Sequence, residues 1–309
     1  MKILVINCGS SSLKYQLYNM DNNEVLAKGL VERIGIEGSN LQHRPTGKDK
    51  VVFEQPLKNH DEAIKLVMEK LVDPECGVIE SLSEINGVGH RVLHGSKYFT
   101  KSCVVTEEVK EVVRKCFDLG PLHNPANLMG IEACEKLMPG VPNIAVFDTA
   151  FHQTMPAKAY MYALPYEYYE KYNVRRYGFH GTSHRYVSKR AIEMLGNPEH
   201  SKVITCHLGN GSSIAAVKDG KVIDTSMGLT PLAGFEMGTR CGDIDPAIVP
   251  YLMKHENLTP DEIDTIMNKK SGILGVTGRS SDYRDVEAGM NEGDERCKLA
   301  LDMFRYQIA

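Results

Sequence analysis

The chain has 309 residues, 42% of them apolar and 25% charged, with 36 lysines and arginines against 40 aspartates and glutamates and a formal net charge of −4. That is the composition of an ordinary water-soluble globular protein, and its charge gives no pull toward nucleic acid or an anionic membrane. The length suits two domains of ordinary size, and no apolar run approaches the ~20 residues that a membrane span needs.

The first strand is predicted at Ile3–Ile6, a short β-branched run that passes into the corner Asn7-Cys8-Gly9-Ser10-Ser11-Ser12. Leu13, Tyr15 and Leu17 then alternate with Lys14, Gln16 and Tyr18 as a second strand. A third runs over about 24–34 after the turn Asp21-Asn22-Asn23. A glycine-serine corner between strands gathers small hydroxyls and backbone N–H groups, with Lys14 beside them. It reads equally as an anion-binding nest or as a plain hairpin turn. Cys8, at the strand end, reads as a small buried thiol and not as a nucleophile.

Residues 38–55 show little pattern and read as a loop or an edge hairpin. Helical spacing follows at Ile64, Val67, Met68 and Leu71 after a cap near Asn59, and at Val109, Val112, Val113, Cys116 and Phe117 after Thr106. Asn124-Pro125 reads as an N-cap followed by proline at the first helical position. Strands at Ile85–Leu93, carrying Arg91, and at Asn143–Phe147, ending at Asp148, alternate with these helices. An α/β domain over residues 1–150 is the expectation. Tyrosines crowd 160–177, which reads as a surface cluster near a boundary with a second domain, 151–309.

In the second domain the opening device returns. Lys202–Cys206 is an apolar strand, Gly209-Asn210-Gly211-Ser212-Ser213 a corner, Ile214–Val217 a strand, Asp219-Gly220 a hairpin turn and Val222-Ile223 a third strand. Ser12 follows Gly9 by the same three residues as Ser212 follows Gly209. One such repeat at this separation implies a duplicated domain, and two nests could hold the two ends of a polyphosphate. The eight cysteines contain no CxxC pair, so they read as reduced thiols of an intracellular protein. No leader is visible at the N-terminus.

Neither GxxxxGK[ST] nor a strand-borne GxGxxG occurs, which removes the main support for P-loop and Rossmann readings. No HExxH or Cys/His cluster suggests zinc. What remains is a polar constellation: Arg91 in VGHRVLHG, Asp148 in NIAVFDTAFHQ, His180 in RRYGFHGTSH and Arg240 in MGTRCGDIDP. On residue type alone the arginines also read as surface ion pairs, Asp148 as a cap or turn residue, and His180 and His207 as structural histidines.

Taken in order, LVINCGSSSLK, FDTAFH, RYGFHGTSH, HLGNGSSI and GTRCGDIDP resemble the acetate kinases, within the superfamily of actin, hexokinase and heat-shock chaperones. The resemblance implies an α/β fold of two duplicated actin-like (ribonuclease H-like) domains with a cleft between them. The implied reaction is transfer of the ATP γ-phosphoryl group to acetate, giving acetyl phosphate and ADP, or the reverse. It brings a carboxylate toward an anionic phosphate, so positive charge has to offset the repulsion, and arginine forks suit both groups. By carry-over Arg91 and Arg240 take that role, His180 donates to the phosphoryl group, and Asp148 holds Mg²⁺ through water. Asn7, Ser10, Ser12 and Lys14 would serve the phosphate and metal side. His207, Asn210 and Gly211 would meet the phosphates from the second domain, and Asp282, Tyr283 and Arg284 would face the adenosine. A cytoplasmic homodimer acting on small molecules, with no nucleic-acid or membrane partner, is implied as well.

Other classes stay in view. Butyrate and propionate kinases share the architecture. A serine hydrolase could use Ser10–Ser12 with His180 and Asp148, but GxSxG is missing. The helix at 296–309 reads as cut off, with no capping glycine or proline after it. Relatives continue with an adenosine-side glycine loop and a second metal-side glutamate. The resemblance therefore also allows a weakly active or non-catalytic nucleotide-binding chain.

Overall fold

The computed structural model describes residues 1–121 and 123–309, which divide into two compact units, 1–150 and 151–309. The first is built on β1 (Lys2–Cys8), β2 (Leu13–Asn19), β3 (Glu24–Glu32), β4 (Asn40–Pro45), β5 (Val51–Glu54), β6 (Ile85–Val92), β7 (Cys103–Val104) and β8 (Asn143–Phe147). Among the described residues these form one eight-stranded sheet in the order β5-β4-β3-β2-β1-β6-β8-β7. β1 runs parallel to β6 and β6 to β8; the other pairs are antiparallel. The segment 38–55 is the edge hairpin of the two alternatives, because Leu41 and Phe53 keep an apolar alternation that pairs β4 with β3 and β5 with β4.

Period-two burial fixes which side chains face the core. In β1, Leu4, Ile6 and Cys8 are buried, as are Leu13, Tyr15 and Leu17 in β2. Asn7 and Lys14, direct partners in the β1–β2 register, therefore share the other face. The core is closed by α1 (His60–Leu71) through Ile64, Val67 and Leu71, and by α3 (Asn124–Leu137) through Ala126, Ala133 and Cys134. A smaller cluster joins Val109 and Val113 of α2 (Glu107–Lys115) to Val92, Ile131 and Phe147. Asn59 and Thr106 cap α1 and α2 as expected.

One cap differs. The N-cap position of α3 is His123, and Asn124 lies inside the helix. The Asn124 carboxamide is turned inward: Oδ1 accepts from the His94 backbone N–H at 3.0 Å and Nδ2 donates to the His94 carbonyl at 2.9 Å. A buried strand end supplied stronger partners than the helix's own first turn.

The second unit opens with two short helices, α4 (Ala157–Tyr160) and α5 (Glu167–Tyr172), then α6 (Gly181–Met194). Its sheet is the antiparallel meander β9 (Lys202–His207), β10 (Ser213–Lys218) and β11 (Lys221–Thr225), ordered β11-β10-β9. This matches the connection of β1, β2 and β3. Five helices complete the unit: α7 (Ile248–His255), α8 (Pro260–Lys269), α9 (Gly272–Thr277), α10 (Tyr283–Asn291) and α11 (Glu295–Ile308). Ile273, Val286, Cys297, Ala300 and Leu301 join the last three. The tyrosine-rich stretch is not uniformly superficial. Tyr177 is fully buried and Arg175 stacks over the Tyr160 ring at 3.7 Å, while Tyr166 and Tyr172 are exposed. No helix among the described residues is long and apolar enough to cross a membrane.

Candidate active site

In the first unit the polar residues gather where β1, β6 and β8 end. Asp148, 2% exposed, follows β8, and its backbone N–H donates to the Val92 carbonyl at 3.0 Å. Its carboxylate takes the Arg91 guanidinium in a two-pronged grip, Nε to Oδ1 at 3.0 Å and Nη2 to Oδ2 at 2.7 Å. Arg91 Nη1 also reaches Asn7 Oδ1 at 3.4 Å. The Asp148 charge holds Arg91 firmly in its cationic form. The neighbouring His90 is buried, donates Nε2–H to Asn143 Oδ1 at 2.7 Å, and is pushed down to about 4 by that burial, so it adds no competing positive charge.

The glycine corner beside them is pinned from several sides. The Gly9 N–H donates to the Ser12 carbonyl at 2.8 Å, and the Ile34 N–H to the Ser11 carbonyl at 3.0 Å. His60, at the start of α1, donates Nε2–H to the Gly9 carbonyl at 2.7 Å. Asn127 of α3 donates to the Cys8 carbonyl at 2.7 Å while its Oδ1 accepts from the Leu93 N–H at 2.9 Å, so one carboxamide ties the ends of β1 and β6 together. Ser10 stands exposed at the tip. Asn7 and Lys14 line an open concavity of about 450 Å³ together with Lys28 and Arg44. Burial pushes the Cys8 thiol up to about 12, which removes it as a nucleophile at neutral pH.

In the second unit His180 occupies the N-cap position of α6 in the left-handed conformation (φ 57°, ψ 24°), a region uncommon outside glycine that histidine enters more readily than most residues. Its ring stacks on that of His207 at 4.0 Å, and His207 Nδ1 pairs with Ser183 Oγ at 2.9 Å. Gly211 shows what converges here: a Cβ added to it would lie 3.0 Å from Arg240 Nη1 and 3.7 Å from His180 Nε2. Asn210 packs so tightly against Gly238 that a Cβ there would collide with Asn210 Oδ1. The second corner therefore brings together His180, His207, Asn210, Gly211 and Arg240.

The adenosine candidates divide. Asp282 caps α10 and binds the Arg284 guanidinium through both oxygens, which lowers its carboxyl to about 2; the Arg284 side chain is otherwise 89% exposed. Tyr283 instead points inward, sealed beside Glu236 and Ser212, and burial pushes its hydroxyl up to about 12.

Sequence reasoning missed Asn127, Ser213, His184 and Glu236. His184 had a signal, since it follows His180 by four residues on one helix and so shares its face. Glu236 had none. It is 2% exposed and neither of its carboxylate oxygens has a hydrogen-bond partner.

The family model described as "Acetokinase family" matches residues 2–309. The chain belongs to the acetokinase family. A curated acetate kinase of Treponema denticola is 62% identical over 305 residues, 98% of this chain and 77% of that one. The crystal structure of Porphyromonas gingivalis acetate kinase superposes with a TM-score of 0.94 at 51% identity, covering 99% of this chain and 77% of that one. A propionate kinase structure from Francisella tularensis gives the same TM-score at 43% identity, covering 99% and 78%. The fold is thus the mixed α/β, two-unit architecture of this family, and both glycine corners lie within the matched span.

For a metal, Asp148 and Asn7 offer hard oxygen donors, and among the described residues no group of three or more His, Cys, Asp or Glu forms a closed protein cage. That sparse set fits Mg²⁺, which keeps most of its waters, and does not fit a structural zinc.

Proposed function

We propose that this protein is an acetate kinase that transfers the γ-phosphoryl group of ATP to acetate, reversibly. The observation that carries this reading is the 62% identity to a curated acetate kinase over 98% of the chain. An acetate oxygen forms a bond to the γ-phosphorus as the bond to the β–γ bridging oxygen breaks, and ADP leaves with the electron pair. No protein nucleophile takes part.

From the first unit, Arg91 presents fixed positive charge to the acetate carboxylate and the transferring group, and Ser10, Ser12 and Lys14 serve the phosphates. From the second, Arg240 supplies matching charge, His180 donates Nε2–H to a phosphoryl oxygen, and His207, Asn210 and Gly211 meet the phosphate chain. Donors already set in place act most strongly on charge that builds up in transit. Asp148 and Asn7 would hold a Mg²⁺, which would neutralise phosphate charge. Asp282 and Arg284 are assigned to the nucleoside side; Tyr283, expected there from the sequence, is left out because its hydroxyl is turned into the interior. A homodimer in the cytoplasm completes the proposal, and the absence of disulfides among the described residues fits a reducing compartment.

A second reading, propionate as the acceptor, is favoured by the equally close superposition of the propionate kinase. The test is hydroxylamine trapping of acyl phosphate with ATP and Mg²⁺ and each of acetate, propionate and butyrate. The highest kcat/KM is expected with acetate. A higher value with propionate would replace the acceptor, and no acyl phosphate from any acid would overturn the proposal.

A further inference from the structure

Behind His180 lies a buried row of side chains, all within the second unit. His180 Nδ1 is 2.8 Å from Ser213 Oγ; Ser213 Oγ is 2.7 Å from His184 Nε2; His184 Nδ1 is 2.8 Å from Thr205 Oγ1. Ser213, His184 and Thr205 are 0%, 1% and 4% exposed. The Ser213 hydroxyl has one proton and two imidazoles competing for it, so the row must run in one direction or the other.

If Thr205 donates to His184 Nδ1, then His184 Nε2–H donates to Ser213 and Ser213 donates to His180 Nδ1. His180 then carries its proton on Nε2, which lies with Cε1 on the Gly211 side of the ring. In the opposite direction His180 would present a bare nitrogen to an anionic group, and the Thr205 proton would be left to the Ala215 carbonyl at 3.5 Å. A hydrogen bond at 2.8 Å outcompetes one at the edge of the bonding range, and a buried proton needs a partner.

We infer that Ser213 and His184 are positioning residues that fix His180 in the Nε2–H form, so that it meets the phosphoryl group as a donor. The inference rests on the role given to His180 above. Ser213 and His184 touch no substrate; they act through the orientation and proton placement of His180, as a second group orients the histidine of a nucleophilic triad. The i, i+4 spacing of His180 and His184 on α6 and the start of β10 at Ser213 make the row possible.

The direct test is the imidazole ¹⁵N spectrum of the histidine-labelled protein without substrate, which reads the His180 tautomer independently of any reaction. Wild-type protein is expected to show a protonated Nε2 and a bare Nδ1. Ser213→Ala and His184→Leu are expected to lose that fixed state and to lower kcat by about tenfold or more, the worth of one hydrogen bond felt in the transition state, with KM for ATP within about twofold. His184→Gln keeps an N–H at the Nε2 position, and kcat is expected to stay within about threefold of wild type. A wild-type His180 protonated on Nδ1 overturns the inference even if no variant folds. So does a folded Ser213→Ala with unchanged kcat, or one whose loss lies in KM alone. A wild type that makes no acyl phosphate yet shows the Nε2–H form would instead sink the proposed function and leave the proton placement standing.

Discussion

Arg91 and Asp148 form a pair with unequal exposure, 37% for the arginine side chain and 2% for the carboxylate. Replacing Arg91 by Ala removes charge from the site and also leaves a buried carboxylate without its fork. Two separable losses are expected: a fall in kcat of about 100-fold or more, and about 1–3 kcal/mol of stability, toward the lower end because the arginine is partly solvated. Arg91→Lys should recover much of the stability and little of the turnover, since an ammonium cannot grip carboxylate and phosphoryl oxygens in two parallel bonds. Urea unfolding and the hydroxylamine assay read the two effects. Near wild-type turnover in Arg91→Lys would remove Arg91 from the reaction.

At the scale of elements, α3 does more than cover the sheet. Through Asn127 it ties the backbone ends of β1 and β6, the strands that carry Asn7 and Arg91. Asn127→Ala leaves a buried carbonyl and a buried N–H without partners, and an unfolding free energy lower by about 1–3 kcal/mol is expected by urea titration. Asn127→Leu, close in size, should be no better, which separates lost hydrogen bonding from lost volume. The strands themselves were legible in the sequence because alternation of apolar residues is a local signal: Leu13, Tyr15 and Leu17 could point only one way. Arg91, Asp148, His180 and Arg240 stood out in the sequence as candidates because their motifs are contiguous. Asn127 and Ser213 were not, since their partners lie on other elements, 119 residues away for Asn127 and Cys8. Asn124 was misread as a cap for the same reason: the local Asn-Pro signal was correct for a helix start, and a distant strand end claimed the carboxamide.

For the whole molecule, the most telling titration belongs to Glu236. Burial raises its carboxyl from 4.5 to about 7. Between those values the folded protein holds a proton that the unfolded chain has released. Stability is therefore expected to fall as pH rises through this window, by up to about 1.4 kcal/mol per pH unit, and to level off above pH 7. Denaturant midpoints measured from pH 5 to 8 should show the slope in wild type and lose it in Glu236→Gln; an equal slope in both would place its origin elsewhere.

The two glycine corners close differently. In the first, the Gly9 N–H donates to the Ser12 backbone carbonyl, and the serine hydroxyl has no part in the closure. In the second, the Ser212 hydroxyl does the closing, accepting from the Gly209 N–H at 3.2 Å and donating to the Gly209 carbonyl at 2.8 Å. If the halves descend from one ancestral unit, the same serine has since followed two careers. The Ser212 hydroxyl is committed to holding its own loop, whereas the Ser12 hydroxyl takes no part in closing its turn. Removing the hydroxyl should therefore loosen the second corner in Ser212→Ala and leave the first corner's backbone closure intact in Ser12→Ala.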